Sequence, residues 1–217
     1  MRKKFVIIIF IIYIIYNMEK VKKFIATDEY KNIEGWCTQD KVLEMIKYIK
    51  PTDLCVELGV FGGKSLLPIS FMTDNLVYGI DAWAKSASIE GTNDKENDDW
   101  WQKIDYDKMY QYTLDLFDKY NCKHVNILRI KSSDAIINFE NESIDFLHQD
   151  SNHSEEITCN EVELYHNKVK INGIWVFDDT NWKTTQKAQH LLLSYGYEEL
   201  YDSGAFKIYR RKYKFLE

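Results

Sequence analysis

The stretch Leu54-Cys55-Val56-Glu57-Leu58-Gly59-Val60-Phe61-Gly62-Gly63-Lys64-Ser65 constrains this chain more than any other. A short apolar run carries an acid near its end, passes through glycines, and gives way to Leu66, Leu67, Ile69 and Phe71. That is the pattern of a buried parallel strand feeding a helix through a turn where backbone comes close to another group. Two familiar nucleotide loops fail on it. A phosphate-binding P-loop needs four residues between its first glycine and Gly-Lys-Ser, and only three separate Gly59 from Gly63. The dinucleotide fingerprint G-x-G-x-x-G is also absent. What remains is an E-x-G-x-x-x-G turn through Glu57, Gly59 and Gly63, or a plain strand–turn–helix that needs no ligand.

At 217 residues there is room for one α/β domain with a full core, and too little for two. Gln39 to Ile49 carries Val42, Leu43, Met45, Ile46 and Ile49 at helical spacing, and Pro51 stops it. Leu76 to Ile80 reads as a second buried strand closing on Asp81, about two dozen residues past Glu57. One strand and one helix separate the two acids, which is βαβ spacing, and a carboxylate there can accept from both hydroxyls of a ribose. Residues 82–105 hold Trp83 and then Asp99-Trp100-Trp101 within a polar run. This segment is too long for a simple connection and reads as an ordered flap over a ligand crevice. Tryptophans that only pack a surface loop to the core are the alternative.

Tyr106 to Tyr120 reads as a helix and Val125 to Ile130 as a third strand. Ser132 and Ser133 follow, either as helix caps or with hydroxyls toward an adenine edge. Ser143 to Asp150 is the fourth strand, and Gly173 to Phe177 the fifth, ending in Asp178-Asp179. The carboxyl ends of parallel strands line one crevice, so Asp150, Asp178 and Asp179 converge there. Three close carboxylates repel unless protons or a cation balance them, and a hard divalent ion with oxygen ligands is the natural counter-charge. His153, three residues past Asp150, is the candidate general base, with a helix-start histidine in local hydrogen bonds as the bland reading. Tyr197 to Leu200 and Ala205 to Tyr209 alternate like a terminal hairpin turned through Asp202-Ser203-Gly204.

A net charge of −6 argues against a general nucleic-acid binder, which needs a basic face. At the N-terminus, Arg2-Lys3-Lys4 precedes an unbroken apolar run from Phe5 to Tyr16. The run falls short of the roughly 20 residues of a spanning helix. It is a marginal membrane anchor, an uncleaved signal-like segment or an upstream extension. The expectation is a cytoplasmic protein, membrane-associated if residues 5–16 act as the anchor. The chain then divides into a hydrophobic segment at 1–18 and a domain at 19–217, with an insertion at about 82–105.

Taken in order, Val56-Glu57-Leu58-Gly59-Val60-Phe61-Gly62-Gly63-Lys64-Ser65, Gly79-Ile80-Asp81-Ala82-Trp83, Ile144 through Ser154 and Trp175-Val176-Phe177-Asp178-Asp179 resemble the class I S-adenosylmethionine (SAM) dependent O-methyltransferases. Within these the chain is similar to methyltransferase family 24, near the macrocin-type sugar O-methyltransferases. The resemblance covers roughly residues 40–210. It implies an α/β, Rossmann-like, doubly wound sheet of seven strands in the order 3-2-1-4-5-7-6, the last strand antiparallel. It implies a cofactor set of Glu57, Gly59, Gly62, Gly63, Ser65, Asp81, Trp83, Ser132, Ser133 and Asp150, with Glu57 near the SAM amino group or ribose and Asp81 on the ribose. Catalysis is assigned to His153 and Asp150, and the resemblance implies a divalent cation such as Mg²⁺ on Asp150, Asp178 and Asp179. The family usually has Asp-Gly where this chain has Asp150-Ser151, and Pro-Gly-Gly where it has Ile171-Asn172-Gly173. The implied acceptor is a hydroxyl of a small molecule, sugar or glycan, with no nucleic acid, and a homo-oligomer is compatible with the class. Two other classes stay open: a SAM-binding interaction module without catalysis, and a nucleotide- or NAD-binding enzyme on a related fold.

Overall fold

The computed structural model describes residues 2–213, with side chains from residue 11 onward. Its centre is a seven-stranded sheet: β1 (Cys55–Leu58), β2 (Val77–Asp81), β3 (Val125–Arg129), β4 (Ile144–Gln149), β5 (Val169–Phe177), β6 (Tyr197–Asp202) and β7 (Lys207–Arg211). The strand order is β3-β2-β1-β4-β5-β7-β6. Strands β1 to β5 pair in parallel, and β7 runs antiparallel to both β5 and β6. This is the expected architecture. The helices are α1 (Arg2–Ile25), α2 (Asp28–Lys31), α3 (Gln39–Met45), α4 (Leu66–Ser70), α5 (Lys85–Ser88), α6 (Lys95–Trp101), α7 (Tyr106–Lys119), α8 (Ser132–Ala135), α9 (Glu155–Tyr165) and α10 (Gln186–Ser194).

Alternation along the strands separates two cores. One face sends Cys55, Val77, Phe146 and Val176 against Val21 of α1, Val42 of α3, Leu66 of α4 and Phe117 of α7. The other sends Val56, Ile80, Leu147 and Trp175 against Ala135 of α8, Val162 of α9 and Leu192 of α10. A sheet covered on both faces has strands that read as continuous apolar runs, which is why β1, β4 and the end of β5 are legible. The helix expected over residues 39–49 stops at Met45 and tightens into a single 3₁₀ turn, Ile46–Tyr48. Strand β5 begins four residues earlier than Gly173, because Val169 pairs with Ile144 before a register shift.

The cytoplasmic, membrane-associated placement drawn from residues 5–16 does not stand. Among the described residues no helix is long and apolar enough to cross a membrane. Helix α1 instead continues through the charges of Glu19, Lys20, Lys22 and Lys23, and its inner side packs on the domain. Val21 and Ile25 are 0 % and 2 % exposed. Phe24 makes edge-to-face contacts with Tyr30, Phe71 and Tyr120. The Tyr13 hydroxyl donates to Asp74 at 2.6 Å. The side chains of residues 5–10 lie outside the described residues.

If α1 is a docked part of the core, Ile25→Ala lowers unfolding free energy by about 2–5 kcal/mol. Ile15→Ala, at a position 55 % exposed, changes it by less than about 0.5 kcal/mol. Urea unfolding midpoints at unchanged m values check this pair.

Candidate active site

The five parallel strands end on one rim, and the rim opens into a cavity of about 1200 Å³. Ligand sites commonly occupy roughly 300–1,000 Å³, so this one has room for a nucleoside cofactor and a second reactant together. Backbone bonds align the rim. Gly59 N–H donates to Ile80 O at 2.8 Å, Asp150 N–H to Leu58 O at 2.8 Å, and Asp178 N–H to Gln149 O at 3.0 Å. Gly59 has φ +85°, and a Cβ there would stand 2.1 Å from Asp150 O. Only glycine lets β1 and the β4 exit pass so closely.

Asp81 holds the glycine turn. The backbone N–H groups of Val60 and Phe61 donate to its Oδ2 at 3.0 and 2.9 Å, and Trp83 N–H donates to Oδ1 at 2.7 Å. Burial pushes its carboxyl above the ordinary range, against the pull of these three donors. Trp83 is 1 % exposed, and its indole N–H donates to Phe61 O at 3.0 Å. Asp81, Trp83, Gly59, Ser65, Ser132 and Ser133 all border the cavity. Glu57, Gly62 and Gly63 do not. Glu57 lies wholly buried behind the turn, where it accepts from Ser65 Oγ at 2.9 Å and meets His148 Nδ1 at 2.8 Å. A Cβ on Gly62 would meet Glu34 O at 2.4 Å, and one on Gly63 the Phe117 ring at 3.0 Å. These two glycines allow close packing of the turn against its neighbours, and Glu57 braces the turn from behind.

The three strand-end aspartates do not share one centre. The Lys41 ammonium of α3, 5 % exposed, lies 3.2 Å from Asp150 Oδ2 and contacts Asp178 Oδ2 directly. Burial alone would lower Lys41, but the charges of Asp150 and Asp178 outweigh it and hold the ammonium above its ordinary pKa. Burial likewise opposes the charged form of Asp178, yet Lys41 keeps that carboxyl below its usual range. Burial and the neighbouring Asp178 charge push Asp150 well up. Asp179 Oδ2 lies 3.0 Å from His153 Nε2, and ligand atoms of Asp150, His153 and Asp179 fall within 4.8 Å of one another. His153 Nε2 is also 3.7 Å from Asp150 Oδ1, and its ring packs 5.2 Å from the Trp182 ring. Burial lowers the His153 pKa, against the charge of Asp179. His148 is fully buried, with Nε2 3.7 Å from Asp150 Oδ2.

Sequence reasoning missed Lys41, although it stands four residues before Met45 on the buried side of its helix. It also missed Glu161, which is wholly buried on α9 and accepts from Gln149 Nε2 at 2.9 Å and Ser151 Oγ at 2.7 Å. Burial pushes Glu161 up, against Ser132, Ser151 and Gln149.

Within residues 82–105, the two short helices α5 and α6 stand beside the cavity. Asn152 Nδ2 donates toward Ala87 O and Glu90 O at 3.0 and 2.9 Å, and Thr92 Oγ1 donates to Glu156 at 3.0 Å. Trp100 and Trp101 meet Trp36 at ring-centroid distances of 4.8 and 6.1 Å, and Trp36 stacks on Phe61 at 5.3 Å. Phe61, Trp83 and Asp179, at the exits of β1, β2 and β5, have φ of 48°, 38° and 48°. Such conformations cost about 1–3 kcal/mol each and gather at functional sites.

Residues 56–180 match a family model described as a methyltransferase domain. No curated protein sequence matches the chain. Among solved structures it is similar to a SAM-dependent O-methyltransferase from Thermotoga maritima, at 13% identity and TM-score 0.60, over 88% of this chain and 72% of that one. It is also similar to the O-methyltransferase NovP, at 14% identity and TM-score 0.58, over 90% and 79%. An rRNA methylase from Streptococcus thermophilus aligns at 7% identity and TM-score 0.53, over 77% and 91%. At these identities the likeness establishes a shared fold.

Gly59 and Gly204 separate close approach from left-handed backbone, because Gly204 has φ +87° with nothing within 4 Å of a Cβ. Gly204→Ala lowers stability by about 1–2 kcal/mol, the ordinary cost of that conformation. Gly59→Ala lowers it by several-fold more, since backbone must move, and thermal unfolding of the two variants measures the difference.

Proposed function

The chain belongs to the methyltransferase-domain family whose model it matches, and we propose that it transfers a methyl group from SAM to a hydroxyl of a small molecule or saccharide. One observation carries the choice of a hydroxyl: His153, kept neutral by burial, stands at the cavity rim with Asp179 beside it. A neutral imidazole backed by a carboxylate is the arrangement that removes a hydroxyl proton. The residues present fit SAM. Asp81 offers its remaining acceptor capacity to ribose hydroxyls, the open side of the Gly59 turn receives the methionine portion, and Ser132 and Ser133 border the place for the base. Glu57 acts from behind, by fixing Ser65 and His148.

When bound, SAM supplies a methyl already activated by its sulfonium, whose carbon–sulfur bond breaks as the carbon–oxygen bond forms, leaving S-adenosylhomocysteine. The chain's own tasks are alignment and one proton transfer. Alignment of two reactants in one cavity can supply up to about 7–11 kcal/mol. With Nε2 turned to Asp179, the acceptor proton goes to Nδ1 of His153, and Asp179 stabilises the imidazolium that results. Trp182 packs against the His153 ring and limits its movement. The divalent ion expected on all three aspartates does not fit there, because the Lys41 ammonium already engages Asp150 and Asp178. No step here uses it. The tryptophans around the mouth, with Trp36 63 % exposed, suit the face of a sugar or planar ring. The net charge of −6 weighs against a nucleic-acid acceptor.

Calorimetric titration with S-adenosylhomocysteine tests the cofactor. Micromolar binding is expected, lost in Asp81→Ala with the fold checked by melting, and kept in His153→Gln; no binding by the wild type would overturn the proposal. His153→Gln lowers turnover by about 10²–10⁴. Because burial depresses the His153 pKa below its ordinary 6.5, the base-competent form is lost only below that value. Turnover should therefore rise with pH through a limb below 6.5 and stay flat above it. The Asp179 charge raises that pKa, so Asp179→Asn moves the limb to lower pH and weakens the base.

A further inference from the structure

His148, Asp150 and Asp178 each offer a ligand atom, and these atoms lie within 4.8 Å of one another. Such a set on strand ends would ordinarily attract a divalent ion. Here the chain brings its own cation to the same oxygens. Helix α3 is seated by Val42 and Met45, both 0 % exposed, and its start is fixed by Thr38, whose Oγ1 accepts from Lys41 N–H at 3.1 Å. The Lys41 stem is thereby aimed into the rim, with 6 % of its side chain exposed, and its ammonium touches both carboxylates. Behind them, His148 Nε2 faces Asp150 Oδ2 at 3.7 Å with no aligned hydrogen-bond partner, while Nδ1 is held by Glu57. A divalent ion binding these oxygens would meet the ammonium at contact distance and lose to it by charge repulsion.

We propose that Lys41 is a built-in cation standing in the place of a divalent ion at the His148–Asp150–Asp178 cluster, so that no divalent ion occupies that cluster and a divalent site lies hidden beneath Lys41. The ammonium fixes the two strand-end carboxylates beside the His153–Asp179 pair, as a metal would, but it cannot be chelated away. The inference concerns the site of the proposed methyl transfer and rests on that reading only where turnover is measured. Its test reads metal binding directly, so either can fail while the other stands.

The test titrates the full chain with Mn²⁺, followed by electron paramagnetic resonance and calorimetry. Wild type is expected to bind no Mn²⁺ at this cluster up to millimolar concentration. Lys41→Met, which keeps the length of the stem and removes the charge, should bind one Mn²⁺ at least tenfold more tightly than wild type. Adding Asp178→Asn to that variant should abolish the gain, and Lys41→Arg should bind as poorly as wild type. If Lys41→Met melts early, rescue of its melting temperature by Mn²⁺ but not by NaCl reports the same latent site. Micromolar Mn²⁺ binding by wild type that Asp178→Asn removes would overturn the proposal. So would a folded Lys41→Met variant with no gain, or an unstable one that Mn²⁺ does not rescue.

Discussion

Charge balance at the ends of the parallel strands is the constraint on which the rest of this structure depends. A doubly wound sheet directs every parallel strand toward one rim, and this chain closes three of them with aspartates. Left unpaired in a half-buried crevice, those carboxylates would oppose folding. The molecule separates them. Asp81 is satisfied by backbone N–H groups of the turn it faces. Asp150 and Asp178 share the Lys41 ammonium, and Asp179 is drawn aside to His153. Each solution also shapes the rim: the first fixes the turn, the second joins two strand ends, and the third holds the His153 ring.

The turn and the rim are coupled through short contacts rather than through one long element. Gly59 passes against the Asp150 carbonyl, and Glu57 reaches from Ser65 to His148. His148 in turn stands beside Asp150, next to Lys41. A change in any one of these groups reaches both the glycine turn and the strand-end carboxylates.

The cover over the cavity is built from parts distant in sequence. Trp36 arrives from the segment before α3, Phe61 from the glycine turn, and Trp100 and Trp101 from the insertion. Asn152, two residues past Asp150, ties the insertion to the β4 exit. The loop after β4 thus also holds residues 82–105 in place, and Phe61, Trp83 and Asp179 have positive φ at the neighbouring strand exits.

The sequence by itself determined the sheet and its rim. Buried parallel strands are apolar on both faces and end where polarity returns, so β1 to β5 and the acids that close them are visible as patterns of residue type. The same patterning placed Asp81, Asp150, Asp178, Asp179 and His153 at one end of the sheet. Tertiary structure alone decided what these groups face. Lys41 reads as one more charge on an amphipathic helix, and only the packing of α3 against the rim turns it inward, 109 and 137 residues away in sequence from its partners. Glu57, Gly62 and Gly63 fit a ligand-contact pattern, yet a turn has two sides, and side-chain direction follows from neighbours such as His148, Glu34 and Phe117. The apolar N-terminal run raised a membrane reading, whereas α1 continues into charged residues and docks on the core through Val21 and Ile25. Residue type and spacing record the period of each element, but the pairing of charges and the choice of face depend on long-range contacts that no local pattern encodes.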